Sequence, residues 1–324
     1  MSEHVTWFSP QPEARELPSG IGDPFAEGPP HPLARAAAEM VMASLRSGSI
    51  APDVPTSLLY GIDGGKMFGV LVVRDASGRL GFLRAFSGQR PQIWDVEGFA
   101  PPTFDRAARE TVEPRGERVV RGFTARVVAL KQSERWAELR AEIQRIAERH
   151  EREDEALRTR MQARRAARQS LRAESGAVIA EIDFGAREDE TEHRREKARM
   201  KLERAPLERA SASFQQRLRR IEKLRLAASR IVSRQLYDCY VFSNRKRETR
   251  TVWQLCAPAA PPSGTGDCAA PKLLVFALRN GLEPLALAEF WWGKSPRSAA
   301  KVEGHFYPAC AEKCGAILPF LLAR

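Results

Sequence analysis

Residues 131–236 differ sharply from the rest of the chain, because proline and glycine almost disappear and arginine, glutamate and alanine dominate. Apolar residues recur there at alternating steps of three and four, the pattern of a coiled-coil seam. The pattern breaks at residues 175–185, which predicts the tip of an antiparallel helical hairpin. Pro206 predicts a kink or a restart in the second arm. The seam residues are Trp136, Leu139, Ile143, Ile146, Leu157 and Met161, then Phe214, Leu218, Ile221, Leu224, Ala228 and Ile231.

The chain is strongly basic, with 52 Lys+Arg against 41 Asp+Glu and a net charge of +11, and the arm carries most of the excess. A basic surface favours polyanions, RNA above all, because neutralising phosphates supplies affinity that does not depend on sequence. Candidate RNA contacts on the arm are Arg217, Arg219 and Arg220. The same charges are also typical of the solvated face of a coiled coil, and the arm could pair with a second copy in a homodimer.

The segments on either side of the arm predict one α/β domain, into which the arm is inserted. Residues 1–35 are an extended Pro/Gly-rich lead-in, and residues 36–130 are the N-terminal part of the domain. A helix is expected at 34–47. The strongest local signal is a β-hairpin, in which β-rich runs at 66–74 and 79–87 flank an Asp-Ala-Ser-Gly turn.

Residues 237–324 predict the C-terminal part of the same domain. The expected fold class is α/β (α+β): a small mixed sheet with flanking helices, interrupted by a long antiparallel helical coiled-coil hairpin. The elements expected in this part are strands at 237–244 and 249–256, a helix at 268–279 closed by Asn280-Gly281, a strand at 285–292 and a helix at 309–322.

Three of the five cysteines lie in this last part, at the starts of predicted helices. Cys268, Cys310 and Cys314 can converge on one side of the sheet, because one strand separates their helices and one helical turn separates Cys310 from Cys314. Three thiolates suit zinc, and His305 or Asp267 could be the fourth ligand. The alternative is that the cysteines are small buried residues that pack helices on the sheet.

Trp291 and Trp292 are adjacent in a predicted strand, so their rings must point to opposite faces of the sheet. One ring could pack in the core while the other stacks on a base; core packing of both rings is the alternative. Together with Lys272, these two tryptophans complete the set of candidate RNA contacts.

The string Cys268-Ala269-Ala270-Pro271-Lys272 resembles the Cys-Ala-Glu-Pro-Lys helix start of bacterial toxin-type members of the zinc-dependent nucleobase deaminase family. In that family Pro-Cys-x-x-Cys opens the next helix after a strand, and the resemblance covers residues from about 237 onwards. It implies a deaminase-like fold with the three cysteines as zinc ligands. The family's proton-shuttling glutamate is Ala270 here, so we expect deaminase activity to be lost unless Glu289, on the intervening strand, replaces that acid/base.

Longer strings resemble the N-terminal extension of a subset of RluA-type RNA pseudouridine synthases, and this resemblance covers nearly the whole chain from about His31. It implies an RNA-related role, as an accessory to a separate RNA-modifying enzyme. The catalytic aspartate of those enzymes lies in an Arg-Leu-Asp motif, which this sequence lacks, so no pseudouridine synthase catalysis is expected. The matching strings around the arm are GKMFGVLVV, FLRAFSG, GFAPPTFD, PPSGTGDCAAPKLL, AEFWWG and FYPACAEKC.

No run of about 18 apolar residues predicts a membrane span, and the N-terminus lacks the basic and apolar segments of a secretory signal. The odd cysteine count favours reduced thiols or a metal, so we expect a cytoplasmic protein. Three functions agree with these observations: an RNA-binding accessory protein, a zinc-dependent nucleobase deaminase-like hydrolase, and a structural coiled-coil adaptor.

Overall fold

The computed structural model describes residues 4–51, 54–61, 64–88, 95–175, 179–296 and 301–323. The chain divides into two compact units, one of residues 1–113 with 233–324 and one of residues 114–232. The first unit contains the sheet and the second is helical. The expected fold class, an α/β domain interrupted by a helical insertion, is therefore confirmed.

The elements of both units are numbered in chain order. The strands are β1 (Val5–Trp7), β2 (Ser49–Ala51), β3 (Val54–Pro55), β4 (Lys66–Arg74), β5 (Leu80–Phe86), β6 (Val241–Ser243), β7 (Thr249–Thr251), β8 (Glu283–Trp292) and β9 (Phe306–Tyr307). The α-helices are α1 (Pro32–Arg46), α2 (Arg106–Lys131), α3 (Glu134–Ser175), α4 (Ile179–Asp238), α5 (Val252–Cys256), α6 (Ala269–Arg279), α7 (Ala311–Cys314) and α8 (Leu318–Leu322).

The α/β unit is built on a five-stranded sheet with the order β1-β5-β4-β8-β9, and its four described pairings are antiparallel. The predicted hairpin is confirmed as β4 and β5. In its turn, the Asp75 carboxylate accepts hydrogen bonds from the N–H groups of Ser77 and Arg79. Gly78 adopts a φ of +85°, which costs glycine little because it has no Cβ.

Helices cover both faces of this sheet. Val70 and Val72 of β4 pack in the same core as α1, whereas Leu71 and Val73 pack in the core that contains α6. Strands that are buried on both faces are continuous apolar runs instead of alternating ones, which explains the sequence of β4.

Helix α6 confirms the predicted helix at 268–279, with Cys268 as its N-cap. The predicted C-terminal signal is also confirmed. Gly281 has a φ of +67°, and the Leu282 N–H donates back to the Ala277 carbonyl at 2.9 Å. The sequence therefore locates this helix closely, and with it the position of Cys268.

The predicted strand at 249–256 is wrong in its second half, which forms α5. Thr251 and Gln254 make a reciprocal capping box, in which each side chain accepts a hydrogen bond from the other residue's N–H. The predicted strand at 237–244 is too long, because α4 continues to Asp238. In the described residues β6 and β7 pair with each other, as a two-stranded ribbon separate from the main sheet.

Two further elements differ from the sequence prediction. The helix expected at 309–322 is two short helices, because Gly315 follows α7 and Pro319 lies in the first turn of α8, where its missing N–H is tolerated. Helix α2 was not predicted, since Pro114 and Gly116 lower its intrinsic helix propensity. Strand β1 lies in the extended lead-in, which was expected to have little structure of its own.

The helical unit is an antiparallel hairpin. As residue numbers rise along α2 and α3, the residues of α4 that they contact have progressively lower numbers. Helix α4 runs through Pro206 without a break, so the predicted restart does not occur. The predicted tip includes residues 176–178, which lie outside the described residues. The pairs that define the register are Lys131 with Glu222, Trp136 with Phe214, His150 with Glu203, and Arg164 with Asp189.

The predicted seam is wrong at Leu224 and Ile231, which are 54% and 59% exposed, whereas Leu157 is 2% exposed. Leu157 and Leu224 therefore provide a matched test of the seam. Leu157→Ala should lower the free energy of unfolding by about 2–5 kcal/mol, since it leaves a cavity between the helices. Leu224→Ala should change it by less than about 0.5 kcal/mol. Urea unfolding followed by far-ultraviolet circular dichroism measures the free energy of unfolding of both variants. Equal losses in the two variants would contradict the placement of Leu157 in the seam.

Candidate functional site

Buried ionisable side chains gather at the N-terminus of α6, where they are close enough to influence one another's protonation. Burial and charged neighbours that shift pKa values are typical of functional sites, so this group is the candidate site of the α/β unit. We name it the α6 cluster. Its members are Asp267, Cys268, Lys272, Glu289 and Cys314.

A buried chain of hydrogen bonds holds the loop that leads into Cys268. The Arg109 guanidinium donates to the Tyr240 hydroxyl at 2.9 Å, and that hydroxyl donates to Asp267 Oδ1 at 2.8 Å. Gly266 has a φ of +95°, and a Cβ at this position would lie 2.6 Å from the Tyr240 ring. The Gly-Thr-Gly-Asp-Cys string is therefore a tightly packed turn that fixes the start of α6.

Cys268 and Cys314 form a thiol pair. Interaction with the Cys314 thiol lowers the pKa of Cys268; burial opposes this, and the Lys313 ammonium favours the Cys268 thiolate. The same interaction, together with burial, raises the pKa of Cys314. The pair therefore loses its first proton from Cys268, which is the partly exposed member.

Glu289 projects from β8 toward α6, where its Oε1 accepts a hydrogen bond from the Ala270 N–H at 3.0 Å. Its side chain is buried, and burial raises the pKa of Glu289 to about 7, although the Ala270 N–H acts in the opposite direction. The carboxyl group therefore changes its protonation near neutral pH. The residue whose N–H it contacts, Ala270, is the one that the deaminase resemblance predicted from the sequence aligns with that family's glutamate.

Lys272 is enclosed in the fold, with only 4% of the residue exposed. Its Nζ donates to the carbonyls of Phe86 and Gly88, both at 2.9 Å. Burial lowers the pKa of Lys272 to about 8, while Asp267 and Cys268 favour the charged form. The expectation that Lys272 contacts RNA is therefore wrong for this conformation, because its ammonium group ties α6 to the end of β5.

Both tryptophans are core residues, with Trp291 9% exposed and Trp292 3% exposed. Trp292 packs edge-on against Phe290, and the Trp291 indole N–H donates to the Gly293 carbonyl at 3.0 Å. Neither ring presents a face to solvent, so base stacking by either is excluded in this conformation. The alternative that the sequence left open, core packing of both rings, describes what is found.

The expected zinc ligands are only partly brought together. Within the described ranges, no three His, Cys, Asp or Glu side chains are arranged to hold a metal ion. Cys310 is exposed at the N-cap of α7, and His305 is exposed beside β8, where its carbonyl accepts from the Trp291 N–H at 3.1 Å. As placed, the expected ligands do not complete a tetrahedral zinc site. Zinc remains a prediction.

The second candidate site is a row of basic side chains on α4, which we name the basic stripe. At 3.6 residues per turn its members lie within about 100° of the helix circumference. All are exposed, and none forms an ion pair with a carboxylate in the described part of the chain. Of the predicted arm contacts, Arg217 is exposed but lies outside this arc. The stripe consists of Arg209, Arg219, Arg220, Lys223 and Arg230.

Acidic residues are scarce around the stripe. Between positions 209 and 232 the sequence contains one carboxylate, Glu222, and Lys131 pairs with it at 3.0 Å. Sequence reasoning found Arg219 and Arg220 but missed the other three members. Applying the helical period to the basic residues, as was done for the apolar ones, would have found them.

Nearer the tip of the hairpin, basic and acidic residues neutralise each other across the seam. Glu203 of α4 hydrogen-bonds to His150 and Arg149 of α3, and these two groups hold its pKa below the usual range. Asp189 likewise pairs with Arg164 and Arg168. Part of the positive charge near the tip is therefore neutralised within the hairpin, whereas the basic stripe has no such carboxylate partners in the described structure.

Comparisons with protein-family models, with curated proteins and with solved structures found no match to this chain. The resemblances to pseudouridine synthase extensions and to deaminases therefore remain predictions. None of the helices that the structure describes is both long enough and apolar enough to cross a membrane.

The raised pKa of Glu289 predicts a pH-dependent stability. Between about pH 4.5 and 7 the Glu289 carboxyl group is protonated in the folded chain and ionised in the unfolded chain. The contribution of Glu289 to the free energy of unfolding is therefore most favourable below this window, and it is lost as pH rises through the window. The free energy of unfolding should fall by about 3 kcal/mol relative to Glu289→Gln, which cannot ionise. Urea unfolding of both proteins across this range measures the difference.

Glu283→Gln is the control, because Glu283 lies on the same strand with an exposed carboxylate. The free energy of unfolding of the wild-type protein, measured relative to Glu283→Gln, should not fall between about pH 4.5 and 7. A constant difference between wild type and Glu289→Gln from pH 4.5 to 7 would show that Glu289 is ionised throughout, and the proposed burial of a neutral carboxyl group would be wrong.

Proposed function

We propose that this protein binds structured RNA, such as tRNA or rRNA, in the cytoplasm, and that it assists a separate RNA-modifying enzyme. The observation that carries the proposal is the basic stripe of α4. The resemblance to the extension of RluA-type pseudouridine synthases supports RNA as the polyanion. The missing Arg-Leu-Asp motif supports an accessory role without pseudouridine synthase catalysis.

The geometry of the stripe suits a phosphate backbone. From Arg209 to Arg230 the helix advances by about 32 Å at 1.5 Å per residue, so several phosphates of one RNA can be contacted at once. The five side chains of the stripe offer guanidinium and ammonium groups, and none of the five is aromatic. Such contacts position a protein on nucleic acid and carry no direct sequence information. Binding should therefore be sensitive to salt and tolerant of sequence.

The stripe also lies away from the seam, which favours its availability to a partner. Phe214, which stacks on Trp136 with ring centroids 4.1 Å apart, marks the seam face of α4. At 100° per residue, Phe214 lies about 140° from Arg219 and about 180° from Lys223 around the helix. Hairpin formation therefore uses the apolar face of α4 and leaves the basic face for RNA.

Removing three charges from the stripe tests the proposal. The triple variant Arg219→Ala, Arg220→Ala and Lys223→Ala should weaken binding to bulk tRNA on the order of 100-fold at about 0.1 M salt. The slope of log affinity against log salt should become shallower by about 2 to 3, because each lost phosphate contact removes about 0.9. Fluorescence anisotropy between about 50 mM and about 200 mM salt measures both quantities.

A matched control removes the same charge from ion-paired arginines of the helical unit. Arg121, Arg145 and Arg158 are exposed and each pairs with a carboxylate one turn away. Their triple alanine variant should bind within about threefold of wild type, because these charges are already neutralised. Equal losses in the two variants would mean that net charge alone drives binding. An absence of binding at the lowest salt would reject the proposal.

A second candidate function is zinc-dependent hydrolysis of a nucleobase, and the contact between Glu289 and Ala270 favours it. That contact places a carboxyl group with a pKa near neutrality beside the thiol pair. A group with such a pKa can act as a general acid or base at physiological pH. The candidate still needs a third protein ligand in addition to Cys268 and Cys314.

Metal content tests this second candidate. Protein purified without a chelator should contain about one equivalent of zinc, and Cys268→Ser should lose it. Cys256→Ser is the control, because Cys256 is a partly exposed cysteine outside the α6 cluster. Zinc-free wild-type protein would reject the hydrolase. A protein with neither zinc nor RNA affinity would instead be the structural coiled-coil adaptor.

A further inference from the structure

Strand β8 has an outer edge, on the side away from β4, whose backbone groups are only partly paired. At this edge the Trp291 N–H donates to the His305 carbonyl at 3.1 Å, and the Trp291 carbonyl accepts from the Gly304 N–H at 2.8 Å. Backbone groups alternate between the two edges of an antiparallel strand, so every second residue points its N–H and C=O the same way. Leu287, four residues earlier, therefore presents one donor and one acceptor at the outer edge.

The partner that the strand register would give Leu287 is bonded elsewhere. The described pairing of β8 with β9 includes Glu289 with Tyr307. Two residues further along, the same register would place Ala309 opposite Leu287. The Ala309 N–H donates instead to the Pro24 carbonyl of the lead-in, at 2.9 Å. Within the described residues, the outer N–H and C=O of Leu287 therefore have no strand as a hydrogen-bond partner.

A cavity of about 320 Å³ lies along this edge. It is lined by residues 285–289 of β8 and 306–309 on one side, and by lead-in residues between Pro18 and His31 on the other. Ligand pockets have volumes of ~300–1,000 Å³, so this cavity takes a short segment and not a folded element. A strand edge that offers both a donor and an acceptor is what an extended peptide needs to add itself to a sheet.

The charge around the cavity favours a cation. Asp23 and Glu27 of the lining are exposed, and neither forms an ion pair in the described structure. Asp23 Oδ1 accepts from the Phe25 N–H at 2.9 Å, which holds this carboxylate in place. The lining residues that the structure describes include no lysine or arginine. Complementary charge selects partners, so this cavity disfavours an RNA phosphate backbone and favours a basic segment.

We propose that this cavity binds an extended basic segment of a partner protein, which adds to the outer edge of β8 as a short strand. The Leu287 N–H donates to a carbonyl of the segment, and the Leu287 carbonyl accepts from an N–H of the segment. The carboxylates of Asp23 and Glu27 bind a lysine or arginine side chain. Main-chain hydrogen bonds supply the affinity, and the carboxylates supply the preference for basic sequences. This site does not depend on RNA binding by the basic stripe.

Amide hydrogen exchange, followed by nuclear magnetic resonance on the full-length protein, tests the strand pairing. The probe is the capped peptide acetyl-Val-Arg-Val-amide at millimolar concentration, because valine favours strands and arginine supplies the charge. Exchange of the Leu287 N–H should slow by about tenfold or more. The Ala288 N–H is the internal control, because Ala288 pairs with Val70 and points its backbone groups toward β4. The same peptide with every backbone nitrogen methylated should have no effect, since it cannot donate to the Leu287 carbonyl.

Charge variants test the preference for a basic segment, with the shift of the Leu287 amide signal as the measure of affinity. The double variant Asp23→Asn and Glu27→Gln should bind the arginine peptide about fivefold more weakly than wild type. The double variant Glu39→Gln and Glu110→Gln is the control, because it removes two exposed carboxylates that pair with arginines one turn away. It should bind as wild type does. The peptide acetyl-Val-Glu-Val-amide should bind wild type more weakly than the arginine peptide.

Three results would overturn the proposal. Unchanged exchange at Leu287, or an equal effect of the methylated peptide, would reject strand addition. Equal binding of the arginine and glutamate peptides would reject a basic partner. Slower exchange at Leu287 with bulk tRNA but not with the peptide would assign the cavity to RNA.

Discussion

Burial of both faces of β4 and β8 is the constraint on which the α/β unit depends. The two strands pair along nine residues of β4, from Lys66 with Trp292 to Arg74 with Glu283. One face is closed by α1 and the other by α6. Because apolar side chains fill both layers, neither helix can be removed without exposing a sheet face to water. The position of every residue in the α6 cluster follows from this sandwich.

Glu289 and Lys272 are tolerated inside the sandwich because each has hydrogen-bond partners. Glu289 faces α6 with a backbone N–H as its donor, and Lys272 donates to two carbonyls at the end of β5. A buried polar group without a hydrogen bond would cost about 1–3 kcal/mol. The same enclosure moves the pKa values of both groups toward neutrality from opposite sides. Burial of Glu289 and Lys272 therefore both costs free energy and brings their pKa values close to neutrality.

Local signals predicted much of this fold. The apolar runs of β4 and β5, the start of α6 at Cys268 and its end at Gly281 depend on neighbouring residues, and the sequence located them. The contact between Glu289 and Ala270 could not be predicted in this way, because it depends on strand register and on which face of β8 meets α6. Lys272 was misjudged for a similar reason: a lysine looks exposed until the layer above it is known. The strand predicted at 249–256 failed for a local reason, because the capping box at Thr251 starts a helix there.

The antiparallel hairpin affects how readily β4 and β8 pair during folding. Arg74 and Glu283, at one end of the β4–β8 pairing, are separated by 209 positions. Gly116 and Val232 meet at the base of the hairpin, so a hairpin that has already formed shortens the effective loop to less than half. Shortening the loop in this way lowers the entropic cost of closure by about 0.7 kcal/mol. The helical contacts of the insertion are local and form rapidly, so they bring together strands that are distant in sequence. The order in which contacts form during folding therefore matters more than the order in which the residues are synthesised.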